Sequence, residues 1–366
     1  MMFKNIRFAL VMLMVVGCVE TYQFRITDTD PGIVVEATLS DKSFNDTKNY
    51  PSDGRYFTVK VSKTGDVINT RPKMVSYATV VLASDQGGEW LFVEEDPINK
   101  PGIYQLFDDD FKAVQGVRYK LTVTTPDDAI IESDWQQMPD NAPAIGPVSF
   151  SETSTERIIL DGVRDIKGVT SKVALPKNES GSTIHYRWKF LPTWLFDAPL
   201  ASTTDAMIKF CWATTTNYLR DYTMLADDEG GYSKDLFFVE IEGNERILNE
   251  FSVLIEQQVM NEDYYFFWKE MQDLNQPDGV FATPPFNLKS NLTASKGKVY
   301  GYFGVVREQA VRWYFNRTDL SYNVPNWLPE ECQRECGPGC PPPPCFNCLR
   351  YEGGDVTNIR PTWWGR

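Results

Sequence analysis

Residues 56–65 read YFTVKVSKTG, and the alternation in that stretch sets the fold class. It places Phe57, Val59 and Val61 on one face and Tyr56 and Thr58 on the other, which is the pattern of a strand with one buried side. Residues 119–128, YKLTVTTPDD, repeat it with Tyr119, Leu121 and Val123. Working outward, the runs IVVEATLS (33–40), ATVVLASDQGG (78–88), EWLFVEE (89–95) and GIYQLF (102–107) are punctuated by Gly87-Gly88, Pro101-Gly102 and Asp127-Asp128. Roughly seven strands in about 100 residues predict an immunoglobulin-like β-sandwich over residues 30–138.

MPDNAPAIGP, residues 138–147, has no periodicity, and a linker is expected at 139–147. Beyond it STIHYRWKF (182–190), LFFVEIEG (236–243) and KVYGYFGVV (298–306) predict a second β-rich domain over 148–330. One helix is expected. Asn261 can cap EDYYFFWKEMQDLN, where Tyr264, Phe267, Trp268, Met271 and Leu274 recur at helical spacing and Pro277-Asp278-Gly279 ends the run. That stripe reads as the face that packs on the sheet, with a sugar-stacking platform as the alternative. Residues 331–366 form a cysteine-rich tail, and the whole chain is expected to be mainly β.

The first 21 residues are MMFKNIRFALVMLMVVGCVET. Lys4 and Arg7 precede the apolar run Phe8–Val16, which is too short for a membrane span and fits a signal peptide over 1–17. A small residue and then Cys18 give the ending the look of a bacterial lipobox. Cys18 is then the acylated anchor to a lipid bilayer, and 18–29 is a tether. The 50 acidic residues exceed the 36 basic ones, for a formal net charge of −14, which argues against a nucleic-acid partner.

Catalytic motifs are sparse. The one histidine, His185, lies within a strand-like alternation, and zinc hydrolases and nucleophilic triads need more around it. There is no G-x-S-x-G elbow, P-loop or dinucleotide fingerprint, so no cofactor is expected. Acidic clusters at Asp108–Asp110, Asp227–Gly231 and Thr27–Gly32 read as solvated loops, with calcium as the alternative, because none has EF-hand spacing. Trp194, Trp212 and Trp327 fall outside the clearest strands and suit either a recognition patch or the core.

With Cys18 assigned to lipid, Cys211, Cys332, Cys336, Cys340, Cys345 and Cys348 remain. An exported protein meets an oxidising environment, and the even set predicts three structural disulfides, with zinc and redox chemistry as alternatives. Cys345-Phe-Asn-Cys348 has the C-x-x-C form but lacks the βα context of a thioredoxin site. One of Cys345 and Cys348 is expected to join Cys211 and fasten the Trp363-Trp364 tail to the second domain.

Several stretches in order resemble a family of Bacteroidota lipoproteins defined as a domain of unknown function, number forty-two forty-nine. They are IVVEATLSD, GIYQL, VRYKLTVTTPD, HYRWKF, VLIEQQVMNEDYYFFWKEM, GVFATPPFNLKSNL, KVYGYFGVV and the tail CFNCLRYEGGDVTNIRPTWW. The resemblance implies an outer-membrane lipoprotein of a kind often encoded beside TonB-dependent receptors. It therefore implies an accessory to such a transporter, and it brings no catalytic residues with it. With the lipid anchor, the acidic body, two β domains and no catalytic constellation, a non-enzymatic protein that helps to capture or admit the transporter's substrate, a nutrient ligand, is expected. Two other readings stand beside this one: a structural or adhesive envelope lipoprotein, and a carbohydrate hydrolase using two carboxylates.

Overall fold

The computed structural model describes residues 32–64, 73–159, 162–219, 222–275, 288–334 and 343–365. Its first eight strands are β1 (Ile33–Ser40), β2 (Phe57–Lys63), β3 (Lys73–Met74), β4 (Thr79–Ser84), β5 (Glu89–Glu94), β6 (Ile103–Leu106), β7 (Tyr119–Thr124) and β8 (Ile130–Ser133). In β2 the buried residues include Phe57, Val59 and Val61, and in β7 they are Tyr119, Leu121 and Val123, so the alternating faces are the core faces. β5 pairs with β4 through Phe92 and with β6 through Val93 and Glu94, carrying the hydrogen bonding from one group of strands to the other. Both groups bury side chains in one core, among them Val35, Val61 and Tyr104 from one and Leu82, Leu121 and Ile131 from the other.

Ten further strands follow: β9 (Val148–Ile159), β10 (Gly162–Ala174), β11 (Ile184–Asp197), β12 (Phe210–Thr214), β13 (Thr223–Asp227), β14 (Ser233–Glu240), β15 (Phe251–Met260), β16 (Leu292–Ala294), β17 (Val299–Phe315) and β18 (Asp355–Thr357). β9, β10 and β14 form a three-stranded sheet of their own. Its Val169, Val173 and Val239 pack with Tyr186, Trp188, Val253 and Ile255 of β11 and β15 in a second core.

β17 joins the two regions. Its first half pairs in parallel with β1, from Ile33↔Val299 to Ser40↔Val306, and its second half pairs antiparallel with β15, from Val259↔Arg307 to Phe251↔Phe315. β16 pairs with β8 and buries Leu292 in the first core. The halves expected on either side of 139–147 thus share one sheet, and Gly32–Arg366 is one compact unit. Residues 139–147 carry no regular element. They are pinned to the sheet, since Gln257 and Gln309 donate to the Pro143 carbonyl at 3.2 and 3.1 Å and Gln309 Oε1 accepts from Ile145 N–H at 2.8 Å.

The expected helix spans Glu262–Asn275. Tyr264 and Phe267 are buried with Met260, Tyr302 and Val306, and Trp268 and Met271 pack half-buried against them, so the stripe faces the sheet while Trp268 keeps exposed surface. The Asn261 side-chain amide donates to the Gln137 carbonyl at 2.8 Å, tying the start of the helix to the end of the first region. At the other end of the chain β18 adds to β12, Cys348 is bonded to Cys211, and Cys345 to Cys332. Cys18, Cys336, Cys340, the signal peptide and the Pro277-Asp278-Gly279 stop lie outside the described residues. No helix among those described is long and apolar enough to cross a membrane.

Candidate functional site

On β11 the alternation puts Tyr186, Trp188 and Phe190 into the second core and turns His185, Arg187 and Lys189 to the opposite face of the sheet. The neighbouring strand β15 is buried at all ten positions. One face carries Phe251, Val253, Ile255 and Val259, and the other carries Ser252, Leu254, Glu256, Gln258 and Met260. The register sets Arg187 opposite Gln258 and Lys189 opposite Glu256, while β17 brings Glu308 opposite Gln258. Strand pairing alone therefore assembles a polar ladder beneath the long helix.

The ladder is closely bonded. Arg187 donates from Nε and Nη2 to Gln258 Oε1 at 3.1 and 2.6 Å, and Gln258 Nε2 donates to Glu308 Oε2 at 3.3 Å. Lys189 Nζ lies 3.2 Å from Glu256 Oε2. Arg55 enters from the segment before β2, pairing with Glu256 at 3.2 Å through Nε and with Glu308 through Nη2. That segment is built to hold it. Ser43 and Asp46 cap a short helix at Phe44–Lys48 reciprocally, Thr47 Oγ1 accepts from Arg55 N–H at 3.0 Å, and Tyr50 Oη donates to the Glu308 carbonyl at 3.1 Å. Gly54 sits at φ +80°, and a side chain there would meet the Phe44 ring at 2.9 Å.

Burial would raise the Glu256 carboxyl, but Lys189 and Arg55 outweigh it and hold the group down to about 2. Burial also opposes the charge of Arg55, yet Glu308 and Glu256 outweigh it and strengthen its hold on the proton. Arg187 differs. It is 3% exposed, its side-chain acceptors are the neutral Gln258 and Tyr264, and burial lowers its guanidinium from the ordinary value. It is held instead against aromatic faces, with the guanidinium carbon 3.9 Å from the Trp268 ring and 5.8 Å from both Tyr222 and Tyr264.

Above the ladder is a cleft of about 520 Å³. Arg55, Arg187, Lys189 and Lys60 line it from the sheet and the Phe44–Arg55 segment, and Tyr222, Tyr264 and Trp268 line it from the helix side. Phe44 and Tyr56, stacked 4.3 Å apart, also contribute. Thr38, Thr58 and Gln105 supply neutral polar groups, and Glu36 is the acidic lining residue. On an acidic protein this is a local concentration of positive charge among rings.

Of the residues singled out in the sequence, Tyr264, Phe267 and Trp268 of the helix stripe and Tyr56 reach the cleft, and the others lie elsewhere. His185 rests 4.9 Å from the Tyr265 ring, and burial pushes its imidazole below the ordinary value against the pull of Glu262 and Asp228. Trp194 is fully buried in the second core, Trp212 is half-buried near Trp364 at 6.4 Å, and Trp327 is half-buried before the helical turn Leu328–Gln333. Cys211, Cys332, Cys345 and Cys348 are all buried in disulfides. Asp108, Asp109 and Asp110 are exposed: Asp108 accepts from the Asp110 and Phe111 N–H groups, Asp109 from Tyr56 and Asp110 from Asn45. Asp227 accepts from Tyr232 Oη at 2.9 Å. Among the described residues, no three of His, Cys, Asp or Glu converge as a metal-ligand set. Sequence reasoning missed Arg55, Arg187, Lys189, Glu256, Gln258 and Glu308. The available signal was a strand with charged residues at alternate positions, facing a second strand that carries Glu and Gln among apolar residues.

The family model described as a domain of unknown function (DUF4249) matches residues 19–312, and the chain belongs to that family. The match spans both regions of the sheet and every residue of the ladder, and it stops before Cys332, Cys345 and Cys348. No curated protein matches the chain.

Proposed function

We propose that this chain is a lipid-anchored outer-membrane protein that captures a small ligand in the cleft and works beside a TonB-dependent transporter, without catalysis. The cleft carries the reading: it is large, lined by cations and rings, and sits on charges that are already fixed in place by pairing. Lys4, Arg7, the Phe8–Val16 run and Cys18 support the anchor. In this reading β1–β8 are an immunoglobulin-like sandwich that presents the Phe44–Arg55 segment to the cleft. A carboxylate-dependent hydrolase fits less well. It needs one carboxyl kept protonated, whereas Glu256 is held ionised and Glu308 is paired with Arg55.

The test is recovery from intact outer membranes. A tagged chain extracted in mild detergent is expected to bring a TonB-dependent β-barrel with it, and Cys18→Ala is expected to move the protein to the soluble fraction. Extraction without any transporter, or Cys18→Ala remaining membrane-bound, would overturn the corresponding half of the proposal.

A further inference from the structure

The charge count in the cleft is unequal. Arg55, Arg187 and Lys189 stand at its floor, and the two carboxylates bonded to this group are Glu256 and Glu308. Arg55 engages both and Lys189 shares Glu256, so the bonded partners described for Arg187 are neutral: the Gln258 amide, the Tyr264 hydroxyl and aromatic faces. A guanidinium taken out of water needs strong compensation, and an amide oxygen supplies less than a carboxylate does. Lys60 also lines the cleft, opposite Glu36 in the β1–β2 register.

The walls set the other half of the chemistry. Tyr56 and Phe44 lie among the lining residues with Tyr222 and Trp268, and these four are half-buried rather than wholly enclosed, so they keep exposed surface. Rings of this kind receive the flat face of another ring, whether a π-system or the C–H face of a sugar. A cavity of about 520 Å³ also exceeds what a simple inorganic anion fills.

Resting on the reading of the cleft as a capture site, we infer that its ligand is a ring-bearing organic carboxylate, with the carboxylate seated toward Arg187 and Lys189 and the ring body against the aromatic walls. Aromatic acids and uronic-acid sugars both have this chemistry. Neutral molecules of the same shape lack the group that would match the surplus cation.

Matched pairs test it on the full acylated chain in detergent by isothermal titration. One pair is 2-naphthoate and 2-naphthamide, and the other is trigalacturonate and a neutral trisaccharide of galactose. At least one acid is expected to bind about tenfold or more tighter than its neutral partner, as a charge-assisted contact requires. Lys189→Met and Lys60→Met, both changes at accessible side chains, are expected to erode that preference by weakening the acid more than its neutral partner. Arg187→Met is expected to abolish it if the variant folds. Preference for naphthoate identifies the aromatic source and preference for trigalacturonate the sugar source. Equal binding of acid and neutral partner in both pairs, no binding by either acid, or a preference untouched by Lys189→Met and Lys60→Met would overturn the inference. The measurement does not involve the transporter, so its failure and a failed co-purification are separate results.

Discussion

The ring of Tyr264 lies over Gly304 so closely that a Cβ on the glycine would come within 2.2 Å of it. The helix is seated on β17 through this contact, and the Tyr264 hydroxyl reaches Thr38 Oγ1 on β1 at 2.6 Å. One aromatic side chain thus links the helix wall of the cleft to both strands that join the two regions.

Gly304→Ala is expected to destabilise the chain by about 1–3 kcal/mol through overpacking. Urea unfolding measures the loss, and amide exchange is expected to quicken in Glu262–Asn275 before it does in β15. Tyr264→Phe keeps the ring and loses the bond to Thr38, so a smaller cost of about 1 kcal/mol is expected.

Glu308 has no exposed side-chain surface, whereas Arg55 keeps about a third of its own. Glu308→Gln breaks the pair from its buried side, and a loss of about 2–3 kcal/mol is expected, at or below the lower end for a buried partner because Arg55 retains Glu256 and some water. The double variant Arg55→Met/Glu308→Gln is expected to cost less than the sum of the single changes. Additive losses in a double-mutant cycle would show that the two groups act independently.

The Cys211–Cys348 bridge closes a separation of 137 residues and the Cys332–Cys345 bridge one of 13. In the chain-entropy account the longer loop stabilises more, about 5 kcal/mol against about 3. Cys211→Ser/Cys348→Ser is therefore expected to lower the unfolding midpoint further than Cys332→Ser/Cys345→Ser. Non-reducing peptide mapping should recover both linked peptide pairs.

Acid should act through Glu256. Its folded value of about 2 lies below the ordinary 4.5, so its contribution is present in full above the unfolded value and is lost as pH falls from 4.5 toward about 2. Glu256→Gln should flatten the stability profile in that window. His185 is also depressed, from 6.5, so protonation of the unfolded chain removes stability as pH falls below that value. Its imidazole resonances should titrate below 6.5 in the folded protein; titration above it would contradict the burial described.

How much of this was legible depends on how each strand is covered. β2 and β7 bury one face, so Phe57, Val59 and Val61, like Tyr119, Leu121 and Val123, print a period of two in the sequence. β15 is covered on both faces and prints none, and its Glu256, Gln257 and Gln258 resemble a solvated turn when read alone. The ladder was hidden for a second reason. Arg55 and Glu308 are 253 positions apart, and no local pattern reports a contact of that span. The even number of cysteines pointed to cross-links, but Cys345 and Cys348 stand three positions apart, and no local pattern separates Cys348 from Cys345 as the partner of Cys211.

The parallel pairing of β1 with β17 also bears on how the chain reaches its folded state. Ile33 meets Val299, so the first described strand has an open edge until the last fifth of the polypeptide is available. Contacts of such long range fold slowly, and an exposed edge in the meantime invites association with other chains. A holding chaperone is expected to act on this N-terminal segment, and truncation anywhere before residue 299 removes the partner that closes it.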